Sequence, residues 1–165
     1  MSEKHILLVE DDETLQDLIK KLLANNKYTV SIAKNINEAE KLLKVFVFDL
    51  IILDVMLPDT SGLEFFKNVI KDRINTPVIF LSALSDVEDR VTGLELGAND
   101  YMGKPFDTRE LLLKIKKNLL KNQALNIVKF SEDSVFDLKE EKLFYKNNRV
   151  KLSSNEIKIL KLLIN

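Results

Sequence analysis

Short apolar runs that alternate with amphipathic stretches constrain the fold of this chain more than any other feature. Residues 50–53 and 78–81 are apolar at every position, which is typical of central strands covered by helices on both faces of a parallel sheet. Further strands are predicted at 6–9, 28–33 and just before Lys104, and helices at 15–23, 39–45, 63–70, 87–96 and 109–120. This order predicts a doubly wound α/β domain.

Capping residues mark the starts of several of these helices. In each case a residue that caps helices well is followed three positions later by Glu, the spacing of a capping box. The pairs are Asn35 with Glu38, Ser61 with Glu64, Ser85 with Glu88, and Asp107 with Glu110.

The pattern changes after the helix predicted at 109–120. Residues 121–126 are polar and predict a short linker, and short strands are expected at 135–138, 143–145 and 150–152, with Asn147 and Asn148 in a hairpin turn. Ser153 and Glu156 then cap one more helix, whose apolar face has no later segment to pack against. We therefore expect a first domain over 1–122, a linker over 123–128, and an incomplete α+β domain over 129–165.

Composition excludes several classes of function. The 25 basic and 26 acidic residues leave a formal net charge of −1, so no overall field favours nucleic acid or an anionic membrane. The chain has no cysteine, which excludes disulfides, thiolate metal sites and cysteine nucleophiles. Its first residues lack the long apolar run of a signal peptide or membrane span. A soluble cytoplasmic protein is expected.

Polar residues follow the predicted strands of the first domain at their carboxyl ends. In an open parallel sheet, ligands bind at this edge, so these side chains are expected to converge although they lie far apart in the sequence. They are Glu10, Asp11, Asp12, Asp54, Ser82 and Lys104.

This set of side chains suits phosphoryl transfer. Clustered carboxylates are hard oxygen ligands for Mg²⁺, which offsets charge in an in-line displacement. Asp54 is the predicted nucleophile, while Lys104 and the Ser82 hydroxyl can bind phosphoryl oxygens. Taken singly, Asp11 and Asp12 could simply favour a helix start, Lys104 could belong to a turn, and Ser82 could end a strand. Asp54 is harder to dismiss, because an acid directly after a buried strand needs a partner or an ion.

Four stretches carry a family resemblance. Residues 6–12 (ILLVEDD), residues 49–59 (DLIILDVMLPD) with Gly62, the pair Ser82 and Ala83, and residues 97–106 (GANDYMGKPF) resemble bacterial two-component response regulators. From about residue 135, notably at 150–156 (VKLSSNE), the chain resembles the start of the winged-helix DNA-binding domain of the OmpR/PhoB subfamily.

The resemblance implies a flavodoxin-like (βα)₅ fold in which a sensor histidine kinase phosphorylates Asp54. It implies that Mg²⁺ is held by Asp11, Asp54 and the backbone carbonyl of Met56, with Glu10 acting through water. Asp12 then falls outside the metal site. The protein would be a phosphoacceptor switch and not an enzyme, with at most slow hydrolysis of its own aspartyl phosphate.

The same resemblance implies a switch and a dimer. Ser82 and Tyr101 match the hydroxyl and aromatic switch positions, where the ring follows the hydroxyl inward on phosphorylation. The fourth helix, fifth strand and fifth helix would then form a symmetric homodimer through ion pairs, and the matching residues are Arg90, Asp100, Glu110 and Lys114. Because Lys114 stands where arginine is usual and Asn99 replaces a common acid, a weaker dimer is expected.

Three hypotheses about output remain open. The first is transcriptional control through promoter DNA bound by a full-length protein. The chain as given would lack specific DNA binding, because it ends before a recognition helix and residues 126–165 carry eight basic and six acidic side chains, a net charge of only +2. The second is a receiver that acts through protein contacts alone. The third is a phosphatase with an aspartyl-phosphate intermediate, whose usual motif places a second Asp where this chain has Met56.

Overall fold

The structure, a computed structural model, describes residues 3–70, 76–83, 99–125, 127–138 and 140–164. The chain divides into two compact units, Met1–Leu119 and Leu120–Asn165.

The first unit is built on a parallel sheet of five strands. They are β1 (Lys4–Val9), β2 (Tyr28–Ala33), β3 (Leu50–Asp54), β4 (Val78–Ala83) and β5 (Asp100–Lys104). Their spatial order is β2-β1-β3-β4-β5, with every neighbouring pair parallel. The chain proceeds outward from β1 in opposite directions, which places a topological switch point between β1 and β3. The predicted flavodoxin-like, doubly wound sheet is confirmed.

Helices follow the strands of this unit. They are α1 (Glu13–Asn25), α2 (Ile36–Val45), α3 (Gly62–Phe65), which continues as a π-helical turn over Phe66–Ile70, and a closing helix over Thr108–Leu125. The helix predicted at 87–96 and its capping pair Ser85 and Glu88 lie outside the described residues. The closing helix extends beyond residue 120 into the predicted linker, because residues 121–125 contain neither Gly nor Pro and include good helix formers.

Two layers of apolar side chains cover the two faces of the sheet. One layer includes Leu7, Ile51 and Phe80, and the other includes Leu8 and Ile52. Every residue of β3 is buried, as expected for a central strand that points alternate side chains into both layers. The core therefore holds the carboxyl ends of β1, β3 and β4 firmly beside one another.

Side-chain caps form at most of the predicted helix starts, with partners that differ in detail. The Asn35 carboxamide accepts from the backbone N–H of Glu38 at 2.9 Å, but the Glu38 carboxylate accepts from the Lys34 N–H rather than from Asn35. Ser61 caps α3 through the N–H of Leu63. At the closing helix, Asp107 binds the backbone and guanidinium of Arg109.

The second unit contains an antiparallel sheet and one helix. Its strands are β6 (Ile127–Lys129), β7 (Ser134–Asp137), β8 (Lys142–Tyr145) and β9 (Asn148–Val150), in that spatial order, followed by a C-terminal helix over Ser154–Ile164. The strand β6 was not predicted, because three residues are too short for a clear alternating pattern.

The β8–β9 hairpin turns one residue earlier than predicted. Lys146 and Asn147 occupy the turn with φ of 48° and 63°, and Asn148 already pairs with Tyr145 in the ladder. A two-residue turn with both φ values positive matches the twist of the strands, which decides the register over the alternative with Asn148 in the turn.

Among the helices of the described ranges, none has the length and apolar character required to cross a lipid bilayer.

Candidate phosphoacceptor site

Four strands of the first unit bring polar side chains to one edge of the sheet. Glu10 and Asp11 follow β1, Asp54 is the last residue of β3, and Lys104 is the last residue of β5. Ser82 lies near the end of β4. The parallel register aligns these ends, so residues separated by up to 94 positions, as Glu10 and Lys104 are, come into contact.

Lys104 joins two buried carboxylates. Its Nζ lies 2.7 Å from Glu10 Oε2 and 2.7 Å from Asp54 Oδ2. Glu10 is 1% exposed and Asp54 is 4% exposed. The ionised form of each acid would therefore be strongly disfavoured without a cation nearby. The ammonium group is therefore an integral part of the site.

The surroundings shift the pKa values of Glu10 and Lys104. Burial raises the pKa of Glu10 to about 7; the hydrogen bond from Lys104 opposes this rise and the negative charge of Asp54 adds to it. Burial alone would lower the pKa of Lys104, but the hydrogen bonds to Asp54 and Glu10 outweigh it and raise that pKa above its ordinary value. Lys104 therefore stays cationic.

The acidic side chains suit a hard cation. Glu10, Asp11 and Asp54 can each offer one carboxylate oxygen such that all three atoms lie within 4.8 Å of one another. When all three carboxylates are ionised beside the Lys104 ammonium group, the site carries a formal excess of negative charge and offers only oxygen ligands. Oxygen ligands of this kind fit Mg²⁺. Met56 follows two residues after Asp54 and its backbone N–H donates to Asp54 Oδ1 at 3.1 Å.

Gly62 allows the loop after β3 to fold back on the strand end. A Cβ atom at this position would lie 2.0 Å from the backbone oxygen of Asp54, and the N–H of Gly62 donates to the Val55 carbonyl at 2.8 Å. Only glycine permits this approach. The sequence shows this glycine just before the apolar residues of α3, but the close approach itself becomes visible only in the fold.

The two predicted switch residues lie on one face of neighbouring strands. Ser82 is fully buried, and its hydroxyl has no hydrogen-bond partner within the described part of the chain. Its neighbour in the β4–β5 register is Gly103, and Phe80 pairs with Tyr101. The Tyr101 ring packs against the core with its centroid 6.4 Å from that of Phe80. The motion of Tyr101 with phosphorylation stays a prediction.

Three of the predicted dimer residues form an ion-pair network within one chain. Lys114 Nζ lies 2.6 Å from Asp100 Oδ1 and 3.9 Å from Glu110 Oε1. Lys117 Nζ lies 3.9 Å from Asp100 Oδ2. Burial opposes ionisation of Asp100, but the hydrogen bonds from Lys114 and from the backbone of Tyr101 hold its pKa below the ordinary value. Arg90 lies outside the described residues.

Gln16, on the helix after β1, was not recognised in the sequence as part of this arrangement. Gln16 is 6% exposed, and its Nε2 donates to the backbone oxygen of Glu10 at 2.5 Å. Asp12 caps α1 by accepting from the N–H of Leu15 at 3.0 Å, which agrees with its predicted place outside the metal site. The helical pattern could place Gln16 on the inner side of α1, but it did not indicate that its side chain binds the backbone oxygen of Glu10.

Comparison with known proteins identifies the family. The model of the response regulator receiver domain matches residues 6–116. The probable transcriptional regulator ycf27 of Cyanidium caldarium is 36% identical over an alignment 171 residues long, gaps included. The alignment covers 98% of this chain and 68% of that protein.

Solved structures agree in sequence and fold. A CheY-like response regulator receiver domain from Methanospirillum hungatei is 33% identical with a TM-score of 0.71, over 75% of this chain and 99% of that one. The response regulator DrrB of Thermotoga maritima, described as an OmpR/PhoB homologue, is 31% identical with a TM-score of 0.64, over 98% of this chain and 72% of that one. The chain therefore belongs to the response regulators, with a receiver domain over residues 6–116, and is of the OmpR/PhoB type.

Proposed function

We propose that this protein is the phosphoacceptor component of a two-component phosphorelay, with Asp54 as the residue that a sensor histidine kinase phosphorylates. The contact that carries this proposal is the bridge of Lys104 to Asp54 and Glu10. This contact supports the proposal because a cation lies beside the buried Asp54 carboxylate, the proposed nucleophile, at the edge of the sheet where the other acids converge.

The transfer forms one bond and breaks one bond. An Asp54 carboxylate oxygen attacks the phosphorus of the phosphohistidine, the P–N bond breaks, and the imidazole leaves with the electron pair and takes up a proton. Lys104 then pairs with a phosphoryl oxygen in place of the free carboxylate. The buried Ser82 hydroxyl, which lacks a partner among the described residues, supplies a hydrogen bond to another.

Mg²⁺ would offset the negative charge that gathers on the transferred group. The residues that would hold it are Asp11, Asp54 and the backbone carbonyl of Met56, with Glu10 acting through water. The clustering of the three carboxylates supports this assignment. Slow hydrolysis of the aspartyl phosphate returns the protein to its starting state, and no further enzymatic activity is proposed.

Phosphorylation would be transmitted through Ser82 and Tyr101 to a dimer surface. The added negative charge and acceptor oxygens draw the hydroxyl, and the ring of Tyr101 follows. The proposed homodimer uses Arg90, Asp100, Glu110 and Lys114. Asp100 already pairs with Lys114 within one chain, so an ion pair between chains would compete with it. This competition would reduce the free energy gained on dimerisation and favours a weak dimer.

The proposed output is control of transcription. Residues 1–122 would form the receiver, 123–128 the connection, and 129–165 the beginning of a winged-helix DNA-binding domain that binds promoter DNA in the full-length protein. The antiparallel sheet and the C-terminal helix of the second unit support this, as does the similarity to DrrB over 98% of the chain.

Intact mass spectrometry tests the phosphoacceptor. The protein is incubated with acetyl phosphate with and without Mg²⁺, alongside Asp54→Asn and Asp12→Asn. Asp12→Asn is the matched control, because Asn caps helices as well as Asp and Asp12 lies outside the proposed metal site. We expect one Mg²⁺-dependent phosphate adduct on the wild type and on Asp12→Asn, and none on Asp54→Asn.

Two other results would redirect the proposal. A folded wild type that binds Mg²⁺ without forming an adduct would favour a receiver that acts through protein contacts alone. An adduct retained by Asp54→Asn would exclude Asp54 as the acceptor.

A further inference from the structure

We propose that Gln16 is a positioning residue of the acidic site formed by Glu10, Asp11 and Asp54. It fixes Asp11 by holding the peptide group that joins Glu10 to Asp11. What the site binds rests on the proposed function; the role of Gln16 rests on contacts made by its side chain.

The backbone of Glu10 is anchored on both sides. Its N–H donates to the Ala33 carbonyl at 3.0 Å, and its carbonyl oxygen accepts from Gln16 Nε2 at 2.5 Å. Gln16 lies on α1, which is held by the core through Ile19 and Leu23. Its amide is thus a fixed donor on a rigid element and not a mobile surface group.

The three acids differ in what holds their carboxylates. Lys104 holds the Glu10 carboxylate, and the Asp54 carboxylate accepts from Lys104 and from the Met56 N–H. Asp11 is exposed, and no hydrogen bond or ion pair of its carboxylate is made to any residue in the described ranges. Its position therefore depends on the backbone that carries it.

The Gln16 bond acts on that backbone. The carbonyl of Glu10 and the N–H of Asp11 belong to one planar peptide group, so fixing the orientation of the oxygen also fixes the direction in which the chain enters Asp11. Without the bond, this peptide can rotate and Asp11 samples positions away from Glu10 and Asp54. A metal ion would then have to order Asp11 on binding, which weakens the affinity.

Replacement of the Gln16 amide tests this role. Gln16→Met keeps the length of the side chain and removes the donor, and Gln16→Leu is a second variant without it. We expect the Kd for Mg²⁺ to rise about tenfold, at the low end of the effect of residues that orient metal ligands. Isothermal titration with MgCl₂ alone, well below the melting temperature of each variant, measures it without any phosphodonor.

A matched control separates positioning from general stability. Asn26 makes the same kind of bond at the other end of α1, from its Nδ2 to the Leu22 carbonyl at 2.8 Å. Asn26→Ala should lower the melting temperature, because it removes a bond that closes the end of α1, and should leave the Kd for Mg²⁺ unchanged.

The outcomes distinguish this inference from the proposed function. An unchanged Kd in folded Gln16→Met and Gln16→Leu, or an equal rise in Asn26→Ala, overturns the role of Gln16 and leaves the proposed function intact. A wild type that binds no Mg²⁺ overturns both. A rise confined to the two Gln16 variants establishes the positioning role.

Discussion

The first unit buries β3 at every position, whereas the C-terminal helix of the second unit has no buried residue. Apolar layers cover both faces of the parallel sheet in the first unit. In the described part of the second unit, Phe136 is the only hydrophobic side chain that is fully buried, and Leu162 is 77% exposed.

This contrast shows where stability resides. Burial of apolar area is the main favourable contribution to folding, and a helix gains most of its stability from packing its apolar face. The first unit satisfies both conditions with residues of its own. The second unit has regular secondary structure but little burial, so its helix depends on local signals such as the capping box at Ser153 and Glu156.

The largest expected difference between the units is in the response to truncation of apolar side chains. Ile52→Ala removes a fully buried side chain from β3 and should destabilise the first unit by about 3 kcal/mol. Leu162→Ala on the exposed face should change stability by less than about 0.5 kcal/mol. Urea unfolding monitored by hydrogen exchange of segments from each unit measures both changes, and equal losses would refute the contrast.

Substitutions that test backbone packing should also destabilise the first unit more than the second. Gly62→Ala forces a Cβ against the backbone oxygen of Asp54 and should cost about 1–3 kcal/mol, since backbone atoms must move. Asn147→Gly in the β8–β9 turn, where φ is 63°, should stay within about 0.5 kcal/mol because glycine adopts this conformation freely. Thermal unfolding of the two variants tests this, and a tolerated Gly62→Ala would mean that the loop after β3 can shift.

Removal of one helix cap in each unit should give a smaller difference between the units. Ser153→Ala and Asn35→Ala each remove a cap and should each cost about 1 kcal/mol. In α2, the buried Ile36 and Ala39 keep the helix formed, whereas the first turn of the C-terminal helix should fray. Amide exchange should therefore accelerate strongly after Ser153→Ala and only slightly after Asn35→Ala; similar acceleration in both helices would contradict the packing difference.

The smallest expected effect concerns pH. Because the pKa of Asp100 is lowered in the folded state, its pair with Lys114 stabilises the first unit above the ordinary Asp pKa of about 3.9, and this contribution is lost as the pH falls through the folded value. A partly buried pair contributes about 0.5 kcal/mol. The pKa of Glu156 in the second unit is lowered in the same direction by its hydrogen bonds with Ser153, but that group is fully exposed.

Urea unfolding of the wild type and Asp100→Asn from about pH 6 to pH 2.5 checks this. The difference between them should be constant at the upper end and shrink in acid. Glu156→Gln should show no resolvable change in the unfolding of the first unit. A difference for Asp100→Asn that grows in acid would have the wrong sign for a lowered pKa.

Much of the fold could be predicted because its signals are local. The strand predicted at 28–33 has those bounds in the structure, and the apolar runs at 50–53 and 78–81 lie within β3 and β4. The same local pattern predicted which polar residues follow the strands. From the topology of a parallel sheet it was then possible to expect Asp54, Lys104 and the acids after β1 at one edge.

What the sequence determined by itself, then, was the order of the described strands and helices of the first unit, its sheet type, and the place of Glu10, Asp54 and Lys104 at one edge. These depend on side-chain period and on the residues that end each element. Only the tertiary structure decided the bond from Gln16 to the Glu10 carbonyl, the approach of Gly62 to Asp54 and the pairing of Asp100 with Lys114. Each of these depends on distances between separate elements, and packing sets those distances to within an ångström. No periodic pattern in the sequence contains that information.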